Sequence, residues 1–589
     1  MRLHFSRGRE GLAAPPPSIL RIGLVLALAW ASVFGSHGLA SEAPRHDLVI
    51  RNGMIYDGSG TIPFAGDVAV QGDLIVAVGG IVEGRGRIEI DAAGLAVAPG
   101  FINMLSWATE SLLEDGRSQS DIRQGITLEV FGEGLSMGPL NQRMKKEILE
   151  SQGSIKYAIP WTTLGEYLEH LLKRGVSPNV ASFVGATTVR IHVLGHEKRA
   201  PTKEELHRMQ ALVQEAMEEG AMGLGSALFY APAVYAKTSE VIALAKVVGG
   251  YDGLYISHVR NEGGRILEAL DELIRIAREA SVRAEIYHLK VAGQENWDKL
   301  DEVIGKIESA RREGLQVTAN MYTYPASATS LDALLPGWVH AGGTKAYLER
   351  LRDPVVQRRL KTEMTIIRPE NIRPMNFRSP SLKPLSGKSL AEVASLWSKS
   401  PEEALFDIVL REQGGVKMVR FNISEDNIRR QIALPWVSFG SDGGSFATEG
   451  VFLNFETHPR AYGNFARLLG KYVRDEKIIP LEEAIRRLTS LPATNLKLER
   501  RGSLQAGCLA DVVVFDPNKV QDHATFDGPH QYATGMVHVL VNGVQVLKDG
   551  EHTGATPGRV VRGPGWRGKS RDAAPSRHDA GLAPAGGGF

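Results

Sequence analysis

In the centre of the chain, apolar positions recur with two alternating periods. Gly253-Leu-Tyr-Ile-Ser-His258 is a mostly apolar run of strand length. From Arg265 to Ala280, the apolar residues Ile266, Leu270, Leu273, Ile274 and Ala277 fall on one face of a helix. Ala284-Glu-Ile-Tyr-His288 returns to strand character, Leu300, Val303, Ile304 and Ile307 repeat the helical spacing, and Gln316-Val-Thr-Ala-Asn-Met-Tyr322 makes the next strand. Repeated strand–helix–strand units predict an α/β fold with a parallel sheet, either doubly wound or closed as a barrel. A less regular stretch, 335–425, breaks the alternation and predicts an insertion over one face.

The two ends of the body resemble each other. Leu48-Val-Ile-Arg-Asn52-Gly53-Met-Ile-Tyr and Val539-Leu-Val-Asn542-Gly543-Val-Gln-Val both read as Asn-Gly hairpins. Nearby strands such as Asp67-Val-Ala-Val-Gln71 and Asp511-Val-Val-Val-Phe515 predict that the ends join in one small β-sandwich. Ahead of this body, Arg2, Arg7, Arg9 and Arg21 precede an apolar run from Ile22 to Phe34, with Gly38 and Ala40 beyond. That layout predicts a secretory signal peptide over 1–40, cut near Ala40, and an exported (periplasmic or extracellular) protein. No later run reaches the roughly 20 apolar residues of a membrane span, so no membrane contact is expected after cleavage. The stretch from 564 to 589, rich in Gly, Ala, Pro and Arg, lacks periodicity and is expected to be a disordered tail.

Charge narrows the partners. Lys+Arg 68 against Asp+Glu 67 gives a net charge of +1, which disfavours nucleic acid and leaves any charge selectivity to a local pocket. Nothing points to a protein partner. Cys508 is the only cysteine, so internal disulfides are excluded and packing is its expected role.

His258 and His288 each close a predicted strand, one crossover apart, so both rise at the same C-terminal face, where α/β folds place their sites. Two imidazoles in register suit zinc. Asp442 ends another apolar run, Pro435-Trp-Val-Ser-Phe-Gly-Ser-Asp442, and is a candidate ligand or general base. His192, His196, Glu110 and Glu449 are read as packing or surface residues.

Ala98-Pro-Gly-Phe-Ile102, Ser257-His-Val-Arg-Asn-Glu262, Tyr287-His-Leu-Lys290, Gly440-Ser-Asp-Gly443, His458-Pro-Arg-Ala-Tyr-Gly463 and Phe526-Asp-Gly-Pro-His-Gln-Tyr532 occur in that order. Together they resemble the signatures of the N-acyl-D-amino-acid deacylase (D-aminoacylase) branch of the amidohydrolase superfamily, over about 46–563. The resemblance implies a (β/α)8 barrel over 98–334 and 426–500, a β-sandwich from 46–97 and 501–563, and the 335–425 insertion over the site. It implies metal binding by His258 and His288, a catalytic carboxylate at Asp442, and a grip on the substrate carboxylate by Lys290, Tyr322 and Arg460. The implied substrate is a small N-acyl amino acid, hydrolysed at a linear amide bond to release a D-amino acid.

Two departures from that pattern bear on the metal. Where the superfamily carries His-x-His, this chain reads Asn103-Met-Leu105-Ser-Trp107, and neither Leu105 nor Trp107 can bind zinc. Where the deacylases carry a metal-binding Cys, alignment of Val130-Phe-Gly-Glu133 puts Glu133. Two His and one Glu form a known catalytic zinc set, so one Zn2+ per chain is expected, with other divalent ions tolerated. Hydrolysis of another C–N bond, in a D-residue dipeptide or a cyclic amide, stays open, as does a barrel that binds acyl amino acids without cleaving them.

Overall fold

The structure, a computed structural model, describes residues 45–568. Its centre is built from parallel strands labelled in chain order: β1 (Phe101–Asn103), β2 (Ile126–Phe131), β3 (Asn179–Ser182), β4 (Gly223–Ala227), β5 (Leu254–His258), β6 (Arg283–Ile286), β7 (Val317–Met321) and β8 (Val437–Phe439). β1, β2 and β3 pair in parallel, and a second parallel sheet runs β8-β7-β6-β5-β4. Backbone hydrogen bonds link the two sheets at both margins. The Met104 N–H donates to the Phe439 carbonyl at 3.2 Å, and the Asp442 N–H donates to the Leu105 carbonyl at 2.9 Å. On the other side, the Met222 N–H donates to the Ser182 carbonyl at 2.9 Å, and the short strand Val184–Gly185, which follows β3, pairs with β4.

The expected helices lie outside these strands with their apolar faces inward. Ile266–Ala280 buries Ile266, Leu270, Leu273, Ile274 and Ala277, and Leu300–Arg312 buries Leu300, Val303 and Ile307. Strands packed on both faces are apolar at nearly every position rather than alternating; β2 is buried throughout. A carboxylate enters this interior at Glu129, and Ser106 and Ser118 donate to it at 2.6 and 2.5 Å.

The insertion is more ordered than its pattern indicates. Ser327–Ser330, Ile372–Met375 and Lys417–Arg420 form an antiparallel three-stranded sheet, and helices such as Gly343–Arg352 and Pro401–Arg411 pack beside it. These pieces share an apolar core that includes Leu351, Leu360, Leu390, Leu405 and Phe406. Its first strand starts at Ser327, before the expected boundary, because Ser-Ala-Thr-Ser carries no apolar alternation to reveal it.

The two ends of the body do join, in one nine-stranded sheet where Ala96–Pro99 pairs antiparallel with Val512–Phe515. Asn542-Gly543 is the expected hairpin, with φ of +49° and +80°, connecting Met536–Val541 to Val544–Lys548. Asn52-Gly53 is not. It lies inside the continuous strand His46–Ile55, where Asn52 at φ +59° makes a bulge. Gly53 is required there because a Cβ would come within 2.4 Å of Val97 Cγ2. Cys508 packs in the core of this sheet.

The expected leader, 1–40, lies outside the described residues. Residues 564–568, at the start of the expected tail, are in place, with the Arg567 N–H donating to the Glu218 carbonyl at 3.1 Å. Among the described residues no helix is long and apolar enough to cross a membrane.

Candidate active site

At the C-terminal ends of the strands lies a cavity of about 640 Å³, partly walled by Lys417, Met418 and Arg420 of the insertion. Its volume is in the range of small-molecule sites. His258 is the last residue of β5, and His288 follows β6 in a left-handed turn at φ +36°. Glu133 follows β2 after Gly132, whose φ of +107° brings the backbone so close to Phe183 that a Cβ would stand 2.4 Å from its carbonyl oxygen. The three side chains converge. Glu133 Oε1 lies 3.0 Å from His258 Nδ1 and 2.8 Å from His288 Nε2, and the two nitrogens are 3.0 Å apart. Each offers one ligand atom, and all three residues are buried.

The charges fit a cation at that point. Burial opposes ionisation of Glu133, but the two imidazoles hold its carboxyl well below the usual carboxylate range. Burial and Lys290 push His288 down, Glu133 and Glu262 push it up, and the balance lies upward at about 9. Two buried carboxylates beside two imidazoles thus hold more negative charge than they can share without a proton or a metal ion.

Glu262 closes the Ser257–Glu262 motif, and the structure gives it a role. Its Oε1 is 3.1 Å from His288 Nδ1, 3.8 Å from His258 Nε2 and 2.6 Å from Lys290 Nζ. It therefore faces the outer nitrogens of both candidate ligands, the arrangement that fixes imidazole tautomers in metal sites. Lys290, expected at the substrate, also donates to the His288 carbonyl at 3.0 Å and lies 2.7 Å from His288 Nδ1. Its ammonium is engaged with this network.

Asp442 follows β8 in a left-handed turn at φ +50°, and Arg460 starts the helix Arg460–Arg467. Arg460 Nη2 lies 2.8 Å from Asp442 Oδ2. Burial pushes the Asp442 carboxyl up; Arg460 works against that push without cancelling it. Arg460 Nε and Nη1 and the Tyr322 hydroxyl are buried and have no protein partner. The guanidinium stands 4.5 Å over the Tyr322 ring. His458, another motif residue without an assigned role, seats this arginine: its Nδ1 accepts the Arg460 N–H at 3.0 Å, and its Nε2 is 3.0 Å from the Ala326 carbonyl. Both bonds are satisfied by the neutral Nε2–H tautomer, and burial followed by Arg460 holds His458 well below its ordinary range.

The site therefore brings together all seven expected residues: Glu133, His258, His288, Lys290, Tyr322, Asp442 and Arg460 line one cavity. Trp107, to which the sequence assigns no chemistry, joins them with its indole Nε1 at 3.1 Å from Glu133 Oε2 and 3.0 Å from Asp442 Oδ1. His196 and Glu449 lie elsewhere, bound to Glu147 and Arg117, and Glu110 accepts from the Tyr157 hydroxyl.

The chain belongs to the amidohydrolase family, whose model matches residues 89–547. Within it the chain is 34% identical to D-aminoacylase of Alcaligenes xylosoxydans xylosoxydans, over 88% of this chain and 98% of that protein. It is 33% identical to the N-acyl-D-aspartate deacylase of the same organism, over 88% and 96%. The N-acyl-D-glutamate deacylase of Bordetella bronchiseptica, solved with zinc and a phosphonate mimic of the tetrahedral intermediate, superposes with a TM-score of 0.74 at 30% identity, covering 88% of this chain and 99% of that one. A D-aminoacylase structure with a binuclear metal centre, described by one-metal activation and second-metal attenuation, gives a TM-score of 0.73 at 33% identity, with 88% and 100% covered.

Proposed function

We propose that this chain is a metal-dependent hydrolase that cleaves the amide bond of N-acyl-D-amino acids, on a closed (β/α)8 barrel with one metal ion per chain. The observation that carries the substrate class is the set of buried, unpartnered donors, Arg460 Nε and Nη1 and the Tyr322 hydroxyl, in the same cavity as Glu133, His258 and His288. Buried N–H and O–H groups without acceptors are rare in folded proteins, and a planar carboxylate suits a guanidinium edge. The barrel reading rests on the parallel strands and on the hydrogen bonds linking β1 to β8 and β3 to β4. The nine-stranded sheet, joined from both ends of the body and carrying its own apolar core, supports the β-sandwich reading.

Glu133, His258 and His288 would hold a divalent ion such as zinc, which supplies Lewis-acid polarisation of the scissile carbonyl and of the attacking water. Asp442 takes the proton of that water and returns it to the leaving nitrogen, the two roles of one general base and acid. Arg460 and Tyr322 receive the substrate α-carboxylate and so fix the amide relative to Asp442. Lys290 can join them. With His288 Nε2 serving as a ligand, Nδ1 would keep the ring proton and donate it in a hydrogen bond to Glu262 Oε1, 3.1 Å away. The ammonium hydrogen now directed at Nδ1 is then released toward the substrate.

A panel of N-acetyl, N-succinyl and long-chain acyl derivatives of D- and L-amino acids, with metal content measured in parallel, tests the reading. Release of free D-amino acid, lost on chelation and restored by about one equivalent of zinc, is the expected outcome. A metal-loaded protein that binds these compounds yet releases no amine would instead be a binding barrel.

A further inference from the structure

Trp107 is unused by the steps above, yet its indole N–H is shared between the two carboxylates they depend on: Glu133 Oε2 at 3.1 Å and Asp442 Oδ1 at 3.0 Å. The backbone that carries this side chain is held in place. Its backbone N–H donates to the Gly443 carbonyl at 2.8 Å, Ser106 bridges Gly443 in parallel, and the Leu105 carbonyl accepts the Asp442 N–H at 2.9 Å. Residues 105–107 are thus stitched to the turn carrying Asp442, which sets the backbone from which the indole reaches the two carboxylates.

Two carboxylates drawn to one point need positive charge or a hydrogen between them. Here the resemblance places Leu105 and Trp107 where a two-metal relative has its His-x-His pair, and an indole N–H is a donor with no lone pair for a metal. We propose that Trp107 is a positioning residue that takes the place of a second metal ion. Its N–H binds the outer oxygen of Glu133, leaving Oε1 to face the imidazoles. It also binds one oxygen of Asp442 while Arg460 binds the other. The base is thereby held at both oxygens in one orientation, and the site is confined to a single ion. This inference rests on the amidohydrolase reading of the site.

The test uses full-length, zinc-saturated protein, with zinc equivalents per chain measured beside kcat and KM. Wild type should retain about one equivalent, and excess zinc should leave kcat unchanged. Trp107→Phe keeps the ring and loses the N–H; it should retain that equivalent and its melting temperature while kcat falls about 10–100-fold with KM little altered. Trp107→Gln, which returns an N–H donor, should recover part of kcat. The Leu105→His/Trp107→His pair should bind a second equivalent. Wild-type kcat in Trp107→Phe, a second equivalent in wild type, or a double-histidine variant that stays at one equivalent would each overturn the proposal. The zinc counts test the single-ion half even if no N-acyl substrate is turned over, an outcome that would sink the functional reading and with it the positioning role of Trp107, but not the confinement to one ion.

Discussion

The two ends of the cavity are built from the same material, buried charge, and are left in opposite states. At the imidazole end Glu133, Glu262, His258, His288 and Lys290 contact one another at 2.6–3.1 Å. At the guanidinium end Arg460 Nε, Arg460 Nη1 and the Tyr322 hydroxyl meet no acceptor. A buried donor without a partner costs about 1–3 kcal/mol, more if charged, so the second end carries a standing penalty that an incoming anion removes. The first end is already shaped; on the proposed reading the substrate carboxylate completes the second. Asp442 stands between them, with Trp107 on one oxygen and Arg460 on the other.

This contrast ranks the expected effects of substitution. Glu133→Ala should be the most severe, because it leaves two imidazoles as the only ligands. Tight metal binding should disappear, and turnover should drop by more than the roughly 10–100-fold typical of losing a residue behind the ligands. Metal analysis of dialysed protein checks it, and one undiminished equivalent would show that Glu133 is no ligand. Arg460→Ala comes next, with the metal retained. It should cost about 2–5 kcal/mol in kcat/KM for N-acyl-D-amino acids, since it removes both a carboxylate partner and the companion of Asp442. Their α-amides, which lack the carboxylate, should lose less. Equal losses on acids and amides would confine Arg460 to holding Asp442. Tyr322→Phe should be the mildest: a loss of about 0.5–1.5 kcal/mol in substrate binding, coupled to a slightly higher melting temperature of the substrate-free protein because a buried orphan hydroxyl is gone. A lower melting temperature would mean that the hydroxyl already has a partner.

How far each end could be read from the chain differs for a physical reason. His258, His288 and Asp442 sit at or just beyond the C-terminal ends of strands, and the parallel arrangement sends all such ends to one face. That inference needs only the period of the apolar residues. The roles of Glu262, His458 and Trp107 needed more. Each depends on a contact with another segment of the chain, in the case of Trp107 to Asp442, 335 residues away. A tryptophan in place of a histidine reads in sequence as a lost ligand, and its N–H gains meaning only when two carboxylates are seen to meet it.

The paired Asn-Gly steps separate what the residues decide alone from what the fold decides. Residue type let Asn52 and Asn542 both adopt left-handed backbone, because Asn tolerates positive φ at low cost; Gly543 continues it at φ +80°, whereas Gly53 does not. Whether the chain reversed there or ran straight on through a bulge was settled by neighbours: Gly66 and Val97 flank Gly53 inside a longer sheet, whereas the strand before Asn542 pairs with the one after Gly543. The same division holds for the site. Local period and residue type determined the strands, the helices and which histidines and carboxylates stand at strand ends. Only the backbone contacts between residues 104–107 and 439–443 brought Trp107 to Asp442 in the cavity shared with Glu133 and Arg460, because backbone pairing between segments far apart in the chain leaves no local pattern in the sequence.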